Sequence, residues 1–523
     1  MPLPPAFAFS QLTPTNFLRR SGSVFRDRIA VVDGPRQFTY GEFLLRSQRL
    51  AGALCERGIV RGDRVCVLAT NSHVMLEAHN GIPMAGAALI PLNTRLSADE
   101  LCYIVEHCQP ALLIVTEELA HRASEVASRC GVDTVIGGNE DSEYEQFLAA
   151  ATPTTLECAD ERSMLAINYT SGTTGRPKGA MYHHRGAYLQ ALAMALHNGV
   201  TSESVYLWTL PMFHCDGWCF TWALTAAGAK HLCLRSFDPG EVWRLVQTAG
   251  VTHLSAAPTV LTMLASSPAA ERSARAISVT TGGAPPTPTL LARLDALNLN
   301  VTHLYGMTET FGPVIINDWQ SQWNGEESEQ RSARKARQGV PNVIAEQTRV
   351  VDAQGNDVPS DGASIGELVL RGNDIFMGYY RDEEETNSSL FDSYFRTGDL
   401  GVMHPDGYLE LRDRAKDMII SGGENISSVE VERVLDSHPA VLESGVVAVP
   451  DETWGEVPVA VVTLRDGCEL SEGDLIAYIR EHLAHFKTPK RIIFAGLPKT
   501  STGKVQKHLL RSELRARFSP SGS

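Results

Sequence analysis

Short apolar runs alternate with amphipathic stretches along most of this chain, and the alternation predicts an α/β fold. Ala30-Val31-Val32-Asp33 reads as the first strand, because a short β-branched run fits a buried pleated surface. Thr39 and Glu42 are spaced as a capping box. Phe43, Leu50, Ala51 and Leu54 then give a helix its apolar face, and Gly58 stops it. Strand-like runs follow at 64–69, 88–91, 112–116 and 134–136, separated by helical segments such as 99–106. Such alternation indicates parallel sheets with crossover helices. It resumes with an Ala/Leu-rich helix over 185–197 and strands at 205–210, 231–234, 252–256, 278–281 and 301–305. From 366–371 onward the pattern turns richer in β. Beyond Ser421 it becomes a compact α+β unit: helix 428–435, strands 445–449 and 457–464, a helix over 473–486 capped by Ser471, and strand 491–494. Segment 325–337, acids followed by cations in a polar context, reads as a solvated loop.

The apolar run Met164-Leu165-Ala166-Ile167-Asn168-Tyr169 predicts a buried strand, and the residues after it carry chemistry. Thr170, Ser171, Thr173 and Thr174 supply short donors, and Gly172 and Gly175 let successive backbone N–H groups converge on an anion. Arg176 and Lys178 add positive charge. The segment reads as a phosphate-binding loop, without the Gly-Lys-Ser/Thr of a Walker A motif.

The same segment resembles the signature loop of the adenylate-forming enzymes, and further matches follow in that family's order. They are Pro211-Met212-Phe213-His214, Thr281-Gly282-Gly283-Ala284-Pro285, Tyr305-Gly306-Met307-Thr308-Glu309 and Tyr394-Phe395-Arg396-Thr397-Gly398-Asp399. Asp413-Arg414-Ala415-Lys416-Asp417, Ser421-Gly422-Gly423-Glu424-Asn425-Ile426 and Pro498-Lys499-Thr500-Ser501-Thr502-Gly503-Lys504 complete the set. The resemblance spans nearly the whole chain. It is strongest to acyl-CoA synthetases for medium-chain fatty acids and related carboxylic acids.

That resemblance implies a large N-terminal part, 1–415, of parallel and mixed sheets with crossover helices plus a distorted β-barrel subdomain. A small mobile α+β domain, 416–523, would follow a hinge near Lys416. It also implies ATP, Mg²⁺ and coenzyme A as cofactors and co-substrate. Lys178 would act as a mobile cation on the β- and γ-phosphates, and Thr308 would bond the α-phosphate. Glu309, a hard oxygen donor, is the candidate Mg²⁺ ligand. Gly283, Ala284 and Pro285 would form one wall for adenine, with Tyr305 stacking on the other and Gly306 beside it. Asp399 and Arg414 would hold the ribose. Lys504 would bridge substrate carboxylate and nucleotide during adenylation, while Gly422 and Gly423 would line the path of pantetheine. His214 matches the aromatic gate beside the reacting carboxylate, with Gly282, Gly306 and Trp218 on the acyl side. Trp218 and Trp222 are spaced one helical turn apart.

Phe213-His214-Cys215-Asp216 departs from the Phe-Asp pattern by which amino-acid adenylation domains fix an α-ammonium. No counter-ion for a second carboxylate is evident. The expected substrate is therefore a hydrophobic monocarboxylic acid, from medium-chain to aryl or bulky cyclic. Two rivals share the motifs: an adenylating module that loads a carrier protein, and a luciferase-like oxygenase. A non-catalytic nucleotide sensor would not need Lys178, Glu309, Asp399, Arg414 and Lys504 together.

Length and charge narrow the picture further. A chain of 523 residues is too long for one core. A net charge of −15 argues against nucleic-acid partners. Ten cysteines without a CxxC pair fit reduced thiols. No apolar stretch approaches the ~20 residues of a membrane span, and the N-terminus lacks a signal-peptide pattern, so a cytoplasmic enzyme is expected. Members of the family often dimerise, which adds a homodimer to the expectations.

Overall fold

The computed structural model describes residues 8, 10–170, 177–283, 286–345, 347–422, 424–451, 453–499 and 505–518. Among these, four sheets organise the chain. A six-stranded sheet runs in the order Thr134–Gly137, Leu112–Thr116, Arg64–Leu68, Ala88–Pro91, Met164–Thr170, Lys178–His183. Its neighbours are parallel except for the last pair. Leu112–Thr116 is buried at every position, as a parallel strand covered on both faces must be. A nine-stranded sheet contains the parallel run Leu299–Met307, Ile277–Thr281, His253–Ser255, Val205–Leu207, Lys230–Leu232 and Ile29–Asp33. Gly312–Ile316 extends it by folding back antiparallel on Leu299–Met307.

The other two sheets are smaller. One is antiparallel and curled, built from Gln347–Val351, Gly366–Arg371, Tyr394–Met403, Leu390–Phe391 and Leu409–Arg414. The last is formed by Glu424–Ile426, Ile419–Ser421, Gly455–Leu464 and Val441–Asp451, with Arg491–Phe494 parallel to Gly455–Leu464. The α/β architecture expected from the pattern is present, and local signals explain several of its boundaries. The Thr39–Glu42 capping box is formed in both directions, and Ser97 with Glu100 makes a second one. Ser471 caps Glu472–His482 by accepting from the Asp474 N–H.

Two local expectations are corrected. Segment 325–337 is not a loop throughout: Ser328–Ala336 is an α-helix. Its charges hold it down, because Arg334 grips both oxygens of Glu326, pairs with Asp406 and lies over the Trp323 ring. Trp218 and Trp222 do not share a helical face. Cys215, Asp216, Gly217, Trp218 and Cys219 all have φ between 50° and 62°, so a left-handed turn separates the two rings.

Candidate functional site

The site is built around a bend where the Leu299–Met307 strand reverses into Gly312–Ile316 through the turn Thr308–Thr310. Met307 N–H donates to Thr310 Oγ1 at 3.0 Å, and that hydroxyl donates to the Gly312 carbonyl at 2.6 Å. Gly306 is dictated by this closeness. A Cβ there would lie 1.8 Å from the Gly312 carbonyl oxygen, so no other residue fits. The bend buries the Glu309 side chain, whose carboxylate accepts the Tyr379 hydroxyl at 2.7 Å. Burial raises the Glu309 carboxyl above its ordinary range, and the Tyr379 bond draws it partly back. Thr308 offers its carbonyl to the Tyr182 hydroxyl at 2.6 Å.

The bend leads directly to two further candidates. Asp399 and Arg414 face each other across neighbouring strands of the curled sheet. Asp399 is 7 % exposed; it accepts from the Tyr305 hydroxyl at 2.6 Å and meets Arg414 Nε at 3.3 Å. A buried acceptor carboxylate backed by a guanidinium suits a vicinal diol such as a ribose. Tyr305 is thus tied to Asp399 by its hydroxyl, while its ring packs against the core of the curled sheet. On the other flank, Lys178 is the ladder partner of Thr170, so the two sit at the closed end of a hairpin. Its ammonium pairs with Glu385 and lies 5.4 Å from the centre of the Tyr379 ring.

Ser171, Gly172, Thr173, Thr174, Gly175, Ala284, Pro285, Gly423 and Lys504 lie outside the described residues. Gly283 is described, exposed, at φ 93°. No group of three or more His, Cys, Asp or Glu side chains able to cage a metal occurs among the described residues. Glu309 fits a different kind of ion. Mg²⁺ commonly takes one or two carboxylates and completes its shell with water and substrate phosphates. A single buried carboxylate close to Lys178 and Arg414 suits that division.

The left-handed turn that carries Trp218 packs against the same bend, where the Cys215 thiol donates to Thr308 Oγ1 at 3.8 Å. His214 leads into the left-handed turn, and the Trp218 ring lies where a Cβ on Gly282 would come within 3.3 Å of it. The Trp218 side chain also flanks Gly312, where a Cβ would be 3.2 Å from its Cδ1. Trp218 therefore joins the ends of two strands beside Gly306. Trp222, by contrast, is core: it is fully buried and donates to the His79 carbonyl at 3.1 Å. Left-handed backbone costs roughly 1–2 kcal/mol per non-glycine residue, so this turn needs support. Asp216 supplies it by accepting from Asn168 Nδ2 at 3.0 Å. The Thr221 hydroxyl holds the Asp216 carbonyl at 3.0 Å. Burial pushes the neighbouring Cys215 thiol up to about 12, so it stays protonated at neutral pH.

Beyond the curled sheet, Lys416 is exposed beside Arg414 and Asp417. Desolvation and the Arg414 charge lower its pKa. Asp417 pairs with Arg511 on the helix Lys507–Phe518. Gly422 has φ 60°, and a Cβ on it would stand 2.7 Å from the half-exposed Trp454 ring. Tyr379, Glu385, Asn168 and Asp216 are the site residues that sequence reasoning missed. Tyr379 and Glu385 belong to no quoted motif, while Asn168 and Asp216 lie in quoted segments whose pattern does not show that they meet.

Two family models match the chain: AMP-binding enzyme over residues 18–380, and the AMP-binding enzyme C-terminal domain over residues 430–504. A 4-hydroxybutyrate–CoA ligase of Metallosphaera sedula is 40 % identical over 97 % of this chain and 96 % of its own. A peroxisomal acetate/butyrate–CoA ligase of Arabidopsis thaliana is also 40 % identical, over 97 % of this chain and 95 % of its own. Among solved structures, ATP-bound MatB from Rhodopseudomonas palustris superposes with a TM-score of 0.86 at 28 % identity, covering 97 % of this chain and all of that one.

Proposed function

The chain belongs to the AMP-binding enzyme family, and from that premise we propose that it activates an apolar monocarboxylic acid as an acyl-adenylate and passes it to coenzyme A. It is an AMP-forming acid–thiol ligase with ATP and coenzyme A as substrates. The observation that carries the finer reading is the division of the bend at Tyr305–Thr310. Charged groups gather around Tyr305 and Glu309, and an indole packs between Gly282 and Gly312.

A carboxylate is a poor electrophile, and activation removes that obstacle. One carboxylate oxygen attacks the α-phosphorus of ATP, the α–β bridge breaks, and pyrophosphate leaves with the bonding pair. The coenzyme A sulfur then attacks the acyl carbon, AMP departs, and the thiol proton passes to water. Lys178 offsets charge on the β- and γ-phosphates, and the Thr308 hydroxyl bonds the α-phosphate. Asp399, oriented by Tyr305 and Arg414, accepts from the ribose hydroxyls. Glu309 would hold Mg²⁺, which when bound supplies positive charge to the phosphates. Lys504 bridges the carboxylate and the nucleotide in the first step. Rotation near Lys416 then moves the 416–523 part, and Gly422 and Gly423 line the pantetheine path for the second.

Several observations support an apolar acid. The ring of Trp218 closes the acyl side against Gly282 and Gly312, which favours the shorter and flatter members of the range. A second carboxylate would be buried there without a partner, at a penalty of several kcal/mol. The relatives' names, with 4-hydroxybutyrate and acetate or butyrate, support a short acid with one carboxylate. We place the enzyme in the cytoplasm, in keeping with ten free cysteines; no helix among the described residues is long and apolar enough to cross a membrane. The test is acid-dependent exchange of pyrophosphate into ATP without coenzyme A. Exchange with butyrate or benzoate but not with succinate or glycine is the expected result. Exchange only when a carrier protein or coenzyme A is added would contradict a free acyl-adenylate intermediate.

A further inference from the structure

The cation assigned to the departing phosphates already has an anionic partner. Lys178 pairs with Glu385, and the side chains are 19 % and 40 % exposed. The segment that carries Glu385 is docked on the same strand as Lys178. Tyr380 N–H donates to the Gly179 carbonyl at 2.7 Å, and Met377 N–H donates to the Met181 carbonyl at 2.9 Å. One turn then fixes Tyr379 and Glu385 together. Asp382 caps the helix Glu383–Ser388 by accepting from Glu385 N–H at 3.0 Å. The Thr386 hydroxyl accepts from Tyr379 N–H at 2.8 Å and donates to the Asp382 carbonyl at 2.7 Å. Tyr379 reaches Glu309 from this turn, while its ring faces the Lys178 ammonium. Glu383 and Glu384 of the same acidic run are exposed. Glu385 is thus held against Lys178 by backbone bonds on both sides, unlike a chance surface pair.

We infer that Glu385 is a positioning residue that competes with the β- and γ-phosphates for the Lys178 ammonium. This rests on reading Lys178 as the phosphate cation. A lysine ammonium has three donors and one charge, so polyphosphate and carboxylate cannot both be fully neutralised by it. Glu385 therefore loosens ATP and pyrophosphate alike, and it gives Lys178 a place to return to as pyrophosphate departs. AMP carries no β- or γ-phosphate and lies outside the competition.

The experiment uses the full-length enzyme and titration calorimetry with MgATP, inorganic pyrophosphate and AMP, each without carboxylic acid. Glu385→Gln keeps the size and removes the charge. The Kd values of MgATP and pyrophosphate should fall about two- to fivefold, the scale of a partly exposed ion pair, while that of AMP stays unchanged. In steady state the KM for ATP should fall and that for the acid should not. In a Lys178→Met background the Glu385→Gln effect should vanish. Unchanged affinities, equal weakening of all three ligands, or tightening that persists without Lys178 would each overturn the inference. If Lys178→Met alone leaves ATP and pyrophosphate affinity intact, the reading of Lys178 falls, and this inference with it. If Lys178→Met weakens both but Glu385→Gln changes neither, only the role of Glu385 is refuted.

Discussion

The two sides of the Tyr305–Thr310 bend are held in place by different physics. On the side proposed to hold the nucleotide each charged group is tethered by a second side chain: Glu309 by Tyr379, Asp399 by Tyr305 and Arg414, Lys178 by Glu385. On the acyl side the shape comes from backbone. A left-handed turn aims Trp218 between Gly282 and Gly312, and the buried hydrogen bonds of Asp216 with Asn168 and Thr221 hold it there. Electrostatic groups need partners because an unpaired buried charge is expensive. An apolar wall needs shape alone. Changes on the nucleotide side should therefore alter rate for every acid, and changes on the acyl side should alter which acid reacts.

The largest effect expected is on Lys504 and Lys416. Lys504→Ala should slow acyl-adenylate formation by about 10²–10³, the range for losing one preorganised donor. Given preformed acyl-AMP and coenzyme A, the same variant should stay close to wild type. Lys416→Pro fixes φ at the proposed hinge and should show the reverse: adenylate forms, but its transfer to coenzyme A slows. Rapid-quench measurement of each half-reaction separates the two. Equal loss of both half-reactions in both folded variants would remove the moving domain from the account.

A smaller effect tests the acyl side. Trp218→Ala should raise kcat/KM for bulkier acids relative to butyrate by about tenfold, the scale of a few methylenes in an apolar pocket, with the KM for ATP unmoved. If ATP affinity shifts as much as acid preference, the two sides are not separable.

The smallest effect is on stability. Burial holds the Glu309 carboxyl above its unfolded value, so the folded state binds the proton more tightly. Its contribution to stability is greatest below the unfolded pKa and is lost as pH rises through the folded one. Glu309→Gln should raise Tm, and by more at pH 8 than at pH 4. A Tm gain that is larger at pH 4 would show that the carboxylate is stabilised rather than penalised in its site.

The same contrast decides how much of the molecule was legible in the sequence. Thr308 and Glu309 stand in one short motif beside Tyr305, and Lys178 closes the hydroxyl- and glycine-rich loop, so contiguous residues mark the side proposed for the nucleotide. Glu385 and Tyr379 did not announce themselves, because Glu385 meets Lys178 across 207 positions. The Trp218–Trp222 spacing suggests a helix, but the left-handed turn is held by Asn168, 48 positions from Asp216, which no local pattern reveals. The helix Ser328–Ala336 was hidden for a related reason. It has no apolar stripe to mark it, and what holds it is ion pairing to Glu326 and Asp406. The large sheets were readable because buried parallel strands are apolar throughout, as at Leu112–Thr116.

The central claim is that an acid is selected for an apolar body and a single charge, then activated through AMP. It is tested most directly by following nucleotide and thioester products together, with butyrate and with succinate, at saturating MgATP and coenzyme A. The account predicts butyryl-CoA and AMP in equal amounts, no ADP, and turnover of succinate lower by at least about two orders of magnitude, the scale of several kcal/mol for an unpaired buried charge. Formation of ADP, or comparable turnover of the two acids, would contradict it.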